Sequence, residues 1–392
     1  MSISEALVKR LKEAFGPRVT SSLMERELYS RDLAPVPALL VKPLFNTVPD
    51  LVVRPIDAGE ISTLMRLAAE EKIPVTPRAG GSTVFFDSVP VKGGILLDLN
   101  LLNGVILLNE NNLTVRVKAA TTWGELEAYL NSRNYACKSV PSSAPAATIG
   151  GWFSMMGHGI GSLKYGSLHS QVRSIEAVLP DGRIYLITGT TEPSLKQFSS
   201  AEGTIGVITE LELEIRPLRG MRHFLVHALN PSQAVSIIRE LIGAATRPYN
   251  IHFSDGAYLE TVKKLGISHV DEESRCVIAI DYEEDAEGLE QAERQVLDAV
   301  NKNPSSALLP RSIADAEWEE RFNSLRLKRG GPSVLGGETW LPVEKLPGYL
   351  DEIEKMSARY GVNLFSYGHM VTPEKATVMT AFFANEARVV PY

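Results

Sequence analysis

Two stretches of this chain combine small residues with a lack of acid in a way that suits a bound anion. The first, Arg78-Ala-Gly-Gly-Ser-Thr83, sets two glycines and two hydroxyls directly after an apolar run. A diphosphate needs several backbone N–H groups turned inward together, and only glycine or small residues let the main chain come that close. A plain glycine turn joining a strand to the next element is the alternative reading. The second runs from Pro141-Ser-Ser-Ala-Pro-Ala-Ala-Thr-Ile-Gly-Gly151 to Gly157-His-Gly-Ile-Gly-Ser-Leu-Lys-Tyr-Gly166 and contains no aspartate or glutamate. A rigid, neutral loop of this kind suits an isoalloxazine and a diphosphate better than it suits a core. His158 and His169 lie close to it in sequence, and a packing or hydrogen-bonding role is expected for each.

These stretches need elements to hold them. An apolar strand (Leu51 to Val53), a helix from about Asp57 to Lys72 and a second strand (Pro74 to Pro77) form a βαβ-type opening that delivers Arg78. Asp57 is the expected N-cap, and Ile61, Leu64, Met65, Leu67 and Ala68 fall at helical spacing. Strands follow at Ile95 to Leu99, Gly104 to Leu108 and Leu113 to Val117, the last two joined by a turn at Asn109-Glu-Asn-Asn112. A helix from Thr122 to Asn134 leads into the second stretch. Beyond it, Pro180-Asp-Gly182 joins strands at Ile175 to Leu179 and Arg183 to Thr188, and Glu210 to Arg216 alternates up to Pro217, which marks a boundary.

After Pro217 strands at Phe224 to Ala228, Ile251 to Phe253 and Cys276 to Tyr282 alternate with helices at Pro231 to Gly243, Ala257 to Leu265 and Asp285 to Asn301. That order indicates an α+β layer with an antiparallel sheet, read as a separate domain. A helix-rich piece (Ile313 to Lys328), a Gly/Pro break (Gly330 to Gly337), a helix (Val343 to Tyr360) and a strand-like Val362 to Tyr367 complete the pattern. The division is therefore 1–218 and 219–392.

Composition removes several classes of function. At 392 residues, 44% hydrophobic and 22% charged, the chain can build two or three cores. Its net charge of -7 and lack of a basic block argue against nucleic acid as a partner. No apolar run is long enough to span a bilayer, and Met1 to Phe15 reads as an amphipathic helix, so a cytoplasmic protein is expected, with membrane association only through partner subunits. The two cysteines, Cys137 and Cys276, are too few and too far apart for a cluster or zinc site, which leaves any one-electron relay to another protein.

Pro141 to Gly151, Gly161-Ser-Leu-Lys-Tyr-Gly166, Leu179-Pro-Asp-Gly182 and Gly203-Thr-Ile-Gly-Val-Ile-Thr-Glu210 resemble the FAD-binding signature of the vanillyl-alcohol oxidase and para-cresol methylhydroxylase superfamily. The likeness is to its branch of glycolate oxidase flavin subunits and FAD-linked D-lactate dehydrogenases, and it is good over about Leu51 to Leu218 and loose beyond. It implies a bipartite FAD domain of the PCMH type followed by a ferredoxin-like α/β cap over the reactive face of the flavin. By position, Arg78, Ala79, Gly80, Gly81, Ser82 and Thr83 would surround the diphosphate, together with Pro141, Ser142, Ala147, Thr148, Ile149 and Gly150. Gly157, Gly161, Ser162 and Tyr165 would lie along the flavin, and Gly203, Ile205, Gly206 and Val207 would close the adenine and ribose side. Val84, Phe85 and Phe86 stand where the family often keeps glycines. No histidine occupies the first-loop position used by some relatives for covalent attachment, so non-covalent FAD is expected.

The resemblance also implies a metal-binding Gly-His motif with a second histidine in the C-terminal third. Here Gly368-His369 is followed by Met370-Val-Thr-Pro-Glu-Lys375, so no metal is expected, and the chain is read as short at its C-terminus relative to the family. His369 remains a candidate base for a substrate hydroxyl, or else a hydrogen-bonded histidine at a strand end. Arg326 lies in a stretch similar to the one that supplies relatives with a carboxylate-binding arginine; Arg321 and Arg329 compete with it, and a solvated charge is the alternative. The leading expectation is an FAD-dependent dehydrogenase of a small 2-hydroxy acid, of the glycolate or D-lactate type, passing electrons to an external acceptor or an iron–sulfur partner. The alternatives are a flavin-carrying electron-transfer or accessory subunit of a redox complex without its own substrate site, and a non-catalytic scaffold.

Overall fold

The computed structural model describes residues 3–36, 41, 43–270 and 275–385, without the side chains of 324 and 325; the first two residues of the expected Met1 to Phe15 helix lie outside this set. The chain divides into two compact units, Met1–Gly157 with Leu168–Pro217, and His158–Ser167 with Leu218–Tyr392. The division at 218/219 leaves 158–167 with the N-terminal half, whereas their contacts group them with the second unit.

The first unit holds two sheets. One contains β1 (Val19–Thr20), β2 (Leu51–Val53), β3 (Val75–Arg78) and β4 (Ile95–Asp98) in the order β1-β2-β4-β3, with β2, β4 and β3 parallel. β2 and β4 are buried at every residue, as apolar strands covered on both faces must be. The Ala58–Glu70 helix makes the crossover. Asp57 caps it by accepting from the Glu60 amide, and Ile61, Leu64, Leu67 and Ala68 enter a core shared with Leu7, Leu11 and Phe15.

The other sheet is antiparallel, with β5 (Val105–Asn109), β6 (Thr114–Lys118), β7 (Tyr135–Cys137), β8 (Val172–Val178), β9 (Ile184–Thr188) and β10 (Val207–Pro217) ordered β5-β6-β10-β8-β9, and β7 on the far end of β10. The inward residues of β10, Val207, Leu211, Leu213 and Ile215, alternate with glutamates on its outer face. The Ser62 hydroxyl donates to the Gly182 carbonyl, and Val178 and Val207 reach the core of the first sheet, which joins both sheets in one unit.

The second unit is built on one antiparallel sheet of β11 (Gly220–Ala228), β12 (Asn250–Asp255), β13 (Cys276–Glu284), β14 (Ala307–Leu308), β15 (Ser333–Pro342), β16 (Phe365–Met370) and β17 (Lys375–Ala384), ordered β14-β11-β13-β12-β16-β17-β15. Ile251, Phe253, Ile278, Ile280, Leu341, Met370, Ala376 and Val378 form its core with the helices Pro231–Gly243, Ala286–Lys302 and Leu346–Tyr360. The opposite face is partly polar and carries the Gly256–Lys264 and Arg311–Glu319 helices.

Two sequence expectations fail here. The Gly330 to Gly337 break is largely strand: β15 begins at Ser333 and pairs with β17 through Pro342. Gly336 reads locally as a breaker, but a Cβ there would lie 2.6 Å from the Thr380 carbonyl, so the glycine permits a close strand approach. The last expected strand is displaced to Phe365–Met370, and β17 follows it unforeseen. His369 is the next-to-last residue of that strand and is paired on both sides, with β12 and β17.

The backbone beside His369 admits no side chain, since a Cβ on Gly368 would meet the Thr377 carbonyl at 2.0 Å and the Phe253 ring at 2.8 Å. Gly368→Ala is expected to lower stability by about 3 kcal/mol, read as an earlier urea midpoint with an unchanged slope.

Candidate active site

The end of β3 presents a row of backbone donors. No acceptor among the described residues takes the amide hydrogens of Ala79, Gly80, Gly81, Ser82 or Thr83. Five consecutive unclaimed N–H groups, on a segment whose Gly81 adopts φ +57°, can wrap an anion. The Arg78 side chain serves another purpose. Its Nη1 donates to the Arg31 carbonyl at 2.7 Å and lies 3.4 Å from those of Tyr29 and Ser88, and the guanidinium sits over the Tyr29 ring. It braces the loop against residues 29–31 and is not a spare cation for phosphate. Phe86 adopts φ +67°, so the loop keeps a left-handed conformation where the resemblance calls for glycine. Asp87 is the one acid in the loop; burial pushes its carboxyl above the usual carboxylate range, and its Oδ1 has no partner among the described residues.

The Pro141–Gly151 stretch meets this loop. A Cβ on Gly80 would lie 2.4 Å from the Ala146 carbonyl and 3.5 Å from the Thr148 methyl, so the two stretches touch because residue 80 lacks a side chain. Most amides of the second stretch are already spent. Ala144, Ala146 and Ala147 donate within the turn, while Ile149 and Gly150 donate to Thr121 and Ala119. This stretch therefore supplies a neutral wall more than a set of donors. The same unit holds a cavity of about 240 Å³, lined by Met65, Ala68, Pro77, Gly203, Gly206 and Val207. Gly203 lies there at φ +77°, and the missing Cβ of Gly206 lets the chain pass the Val178 carbonyl.

At Gly157 the chain passes into the second unit. Gly157 packs on the Trp152 ring, and Gly161, at φ +91°, opens the short Ser162–Tyr165 helix, whose Ser162 hydroxyl accepts from the Gly159 amide. Lys164 Nζ donates to the Glu283 carbonyl and to Glu284, each at 2.7 Å, and the Tyr165 hydroxyl donates to Glu283 at 3.1 Å. The side chains of Ser162 and Tyr165 thus clasp the segment in place.

That clasp delivers His158 to a row of polar residues on the sheet. Register aligns His252 on β12 with His369 on β16, Thr377 on β17 and Trp340 on β15, and Glu338 follows two residues before Trp340 on the same face. His158 Nε2 lies 3.5 Å from Glu338 Oε1, its ring meets Trp340 edge-on at 4.6 Å, and the His369 ring is 5.7 Å away. Thr377 donates to Glu338 at 2.5 Å. His158 and Thr377 hold the Glu338 carboxyl below its usual range. Burial, with opposition from His158 and His252, pushes His369 down to about 3, and its Nε2 is shielded and unpartnered among the described residues. Burial likewise takes His252 to about 4. A neutral imidazole with an open nitrogen is a hydrogen-bond acceptor for a hydroxyl. Asp255 holds β16 in place by accepting from the Tyr258 and Ser366 amides. No three acidic, histidine or cysteine groups among the described residues converge as an ion requires.

Arg326 is not drawn into this row. It lies in the Ser324–Gly330 turn, with Nη1 3.1 Å from Glu320 and Nη2 3.7 Å from Glu317, so its fork is closed by two carboxylates. The expected carboxylate-binding role therefore lacks a free guanidinium. Arg321 stacks on Trp318 and Phe322, and Arg329 is exposed. Glu338 and Trp340 escaped the sequence reading because Gly336-Gly337 masked their strand, and the His158 contact depends on a fold back across more than 170 positions.

Comparison with known proteins gives two family matches. Residues 49–188 match the FAD binding domain family, and residues 221–389 match the C-terminal domain family of FAD linked oxidases. The chain is 23% identical over 384 residues to the glycolate oxidase subunit GlcD of Bacillus subtilis, covering 94% of this chain and 79% of that protein. It is 25% identical over 334 residues to a D-lactate dehydrogenase of Archaeoglobus fulgidus, covering 81% and 72%. In fold it resembles an alkyldihydroxyacetonephosphate synthase, with a TM-score of 0.82, 19% identity and 97% and 81% of the two chains covered. It also resembles p-cresol methylhydroxylase with bound substrate, with a TM-score of 0.78, 14% identity and 98% and 84% covered. The molecule is an FAD-binding oxidoreductase of α+β architecture.

Gly80→Val should weaken FAD retention at least about tenfold, measured by flavin release on dilution, because its side chain must displace the Ala146 wall. Asp87→Asn should retain FAD. A carboxyl whose folded value is raised costs stability as pH climbs past its ordinary value of 3.8, so the asparagine variant should gain in Tm over the parent at pH 8 and not at pH 3.

Proposed function

We propose that this FAD-binding oxidoreductase dehydrogenates a small 2-hydroxy acid of the glycolate or D-lactate type. The first unit holds FAD non-covalently through the amides of 79–83, the wall at Pro141, Ser142, Ala147, Thr148, Ile149 and Gly150, and the cavity at Gly203, Gly206 and Val207, with Ile205 between the lining residues Thr204 and Gly206. Bound FAD supplies the two-electron oxidant. The second unit handles the substrate hydroxyl, with the open Nε2 of His369 as its acceptor; that unpartnered nitrogen is the observation that carries the reading. The substrate class follows from the names of the two relatives.

Electrons leave to an external acceptor or a partner protein. Cys137 and Cys276 are both buried and unpaired, one in each unit, which fits a relay located elsewhere. No helix among the described residues is long and apolar enough to cross a membrane, so any attachment to one through partner subunits is a further proposal. The closed ion pairs of Arg326 favour a second reading, in which the protein carries electrons for a redox complex and has no hydroxy-acid site of its own.

Anaerobic mixing of the FAD-loaded protein with 2-hydroxy acids of both hands, and with matched uncharged alcohols, separates these readings. The expected result is bleaching of the flavin absorbance by a 2-hydroxy acid, slowed at least about 100-fold in His369→Asn. Bleaching through an iron–sulfur partner alone, with every hydroxy acid inert, would establish the electron carrier instead.

A further inference from the structure

The row of unclaimed amides at 79–83 ends four residues before an acid, Asp87. Its Oδ1 is shielded from solvent and has no hydrogen-bond partner among the described residues, so one polar atom of this loop lacks the contact that burial calls for. Burial of the carboxyl is the largest influence on its protonation and opposes the charged form. Asp32, on the segment that accepts from Arg78 and Ser88, and Glu202, ahead of β10, add to it. The Thr83 hydroxyl and the amide of Asp87 itself favour the carboxylate and do not outweigh them. The guanidinium of the same loop is engaged elsewhere: Arg78 faces the carbonyls of Tyr29, Arg31 and Ser88 and interacts with Asp32, Tyr29 and Asp98.

A carboxylate here would meet an incoming diphosphate as a like charge, whereas a protonated carboxyl brings it a donor. We propose that Asp87 is a cofactor-contacting residue that binds FAD in its protonated form, donating its O–H to the anion held by the 79–83 amides, so that the protein takes up a proton as it loads. The inference rests on the placement of the FAD diphosphate at this loop and goes beyond it by fixing the protonation state of the bound form. No covalent bond changes. A proton passes from solvent to the carboxylate of the free protein and stays there while FAD is bound. The free carboxyl loses its proton as pH climbs past a value above the ordinary 3.8. Affinity for FAD is therefore greatest below that value and falls as pH rises through it, by up to about tenfold per pH unit for one linked proton.

The test titrates full-length protein, stripped of flavin, with FAD by isothermal calorimetry at pH 5 and pH 8, in two buffers of different ionisation enthalpy. The parent should bind at least about tenfold more weakly at pH 8 and take up a proton where its affinity is falling. Asp87→Asn, whose side-chain amide donates at every pH, should bind within about twofold at the two values, take up none, and bind more tightly than the parent at pH 8. Asp87→Leu, which fills the space without a donor, should lose at least about tenfold at pH 5 and be as insensitive to pH. A parent affinity equal at the two pH values, or an Asp87→Asn variant that keeps the parent's pH dependence, overturns the proposal. The proton count of the parent decides it alone if a variant folds poorly. Gly80→Val separates this failure from that of the placement: weakened retention there beside a pH-independent parent overturns the proposal alone, whereas full retention in Gly80→Val removes the anion from this loop and the role of Asp87 with it.

Discussion

Successive side chains of a strand point to opposite faces of a sheet, and the polar row of the second unit depends on that alternation staying in register over four strands. His252, His369, Thr377 and Trp340 are partners across β12, β16, β17 and β15. Their immediate neighbours Phe253, Met370, Ala376 and Leu341 point the other way, into the core. A slip of one residue on β16 would bury His369 against the helices and expose Met370. The apolar face thus fixes the polar one, and the free energy that locks the register also sets which rings share a neighbourhood.

The first unit reaches its arrangement by a different route. A parallel βαβ crossover ends in a loop whose amides no acceptor among the described residues takes, and Gly80 lets the Ala146 carbonyl close in on that loop. The second stretch spends its amides on its own turn and on residues 119–121, which makes it stiff. Arg78, beside the donors, is drawn into carbonyls of the N-terminal segment. Donor capacity and rigidity are divided between two segments that differ little in composition.

Charge is handled sparingly around the polar row. The second unit's cations nearest its functional segments are already matched: Lys164 by Glu284, Arg222 by Glu293, and Arg326 by Glu317 and Glu320. What the row offers is imidazole, hydroxyl and one carboxylate. In a low-dielectric setting such groups act mainly by accepting or passing a proton.

Local sequence was sufficient wherever an element's own residues decide its form. Asp57, Thr122 and Pro231 mark helix starts that the fold keeps, the Pro180-Asp-Gly182 turn lies where its residues require it, and the two small-residue stretches meet where Gly80 passes the Ala146 carbonyl. It was insufficient wherever a partner far along the chain decides. β15 looks like a glycine break until β17 pairs with it, Arg326 looks available until Glu317 and Glu320 fold onto it, and His158 has no meaning before Glu338 arrives from 180 positions away. Caps, turns and spacing are short-range energies written in adjacent residues. Which carboxylate meets which imidazole is settled only when the sheet closes, because long-range pairing energies outweigh local preference there.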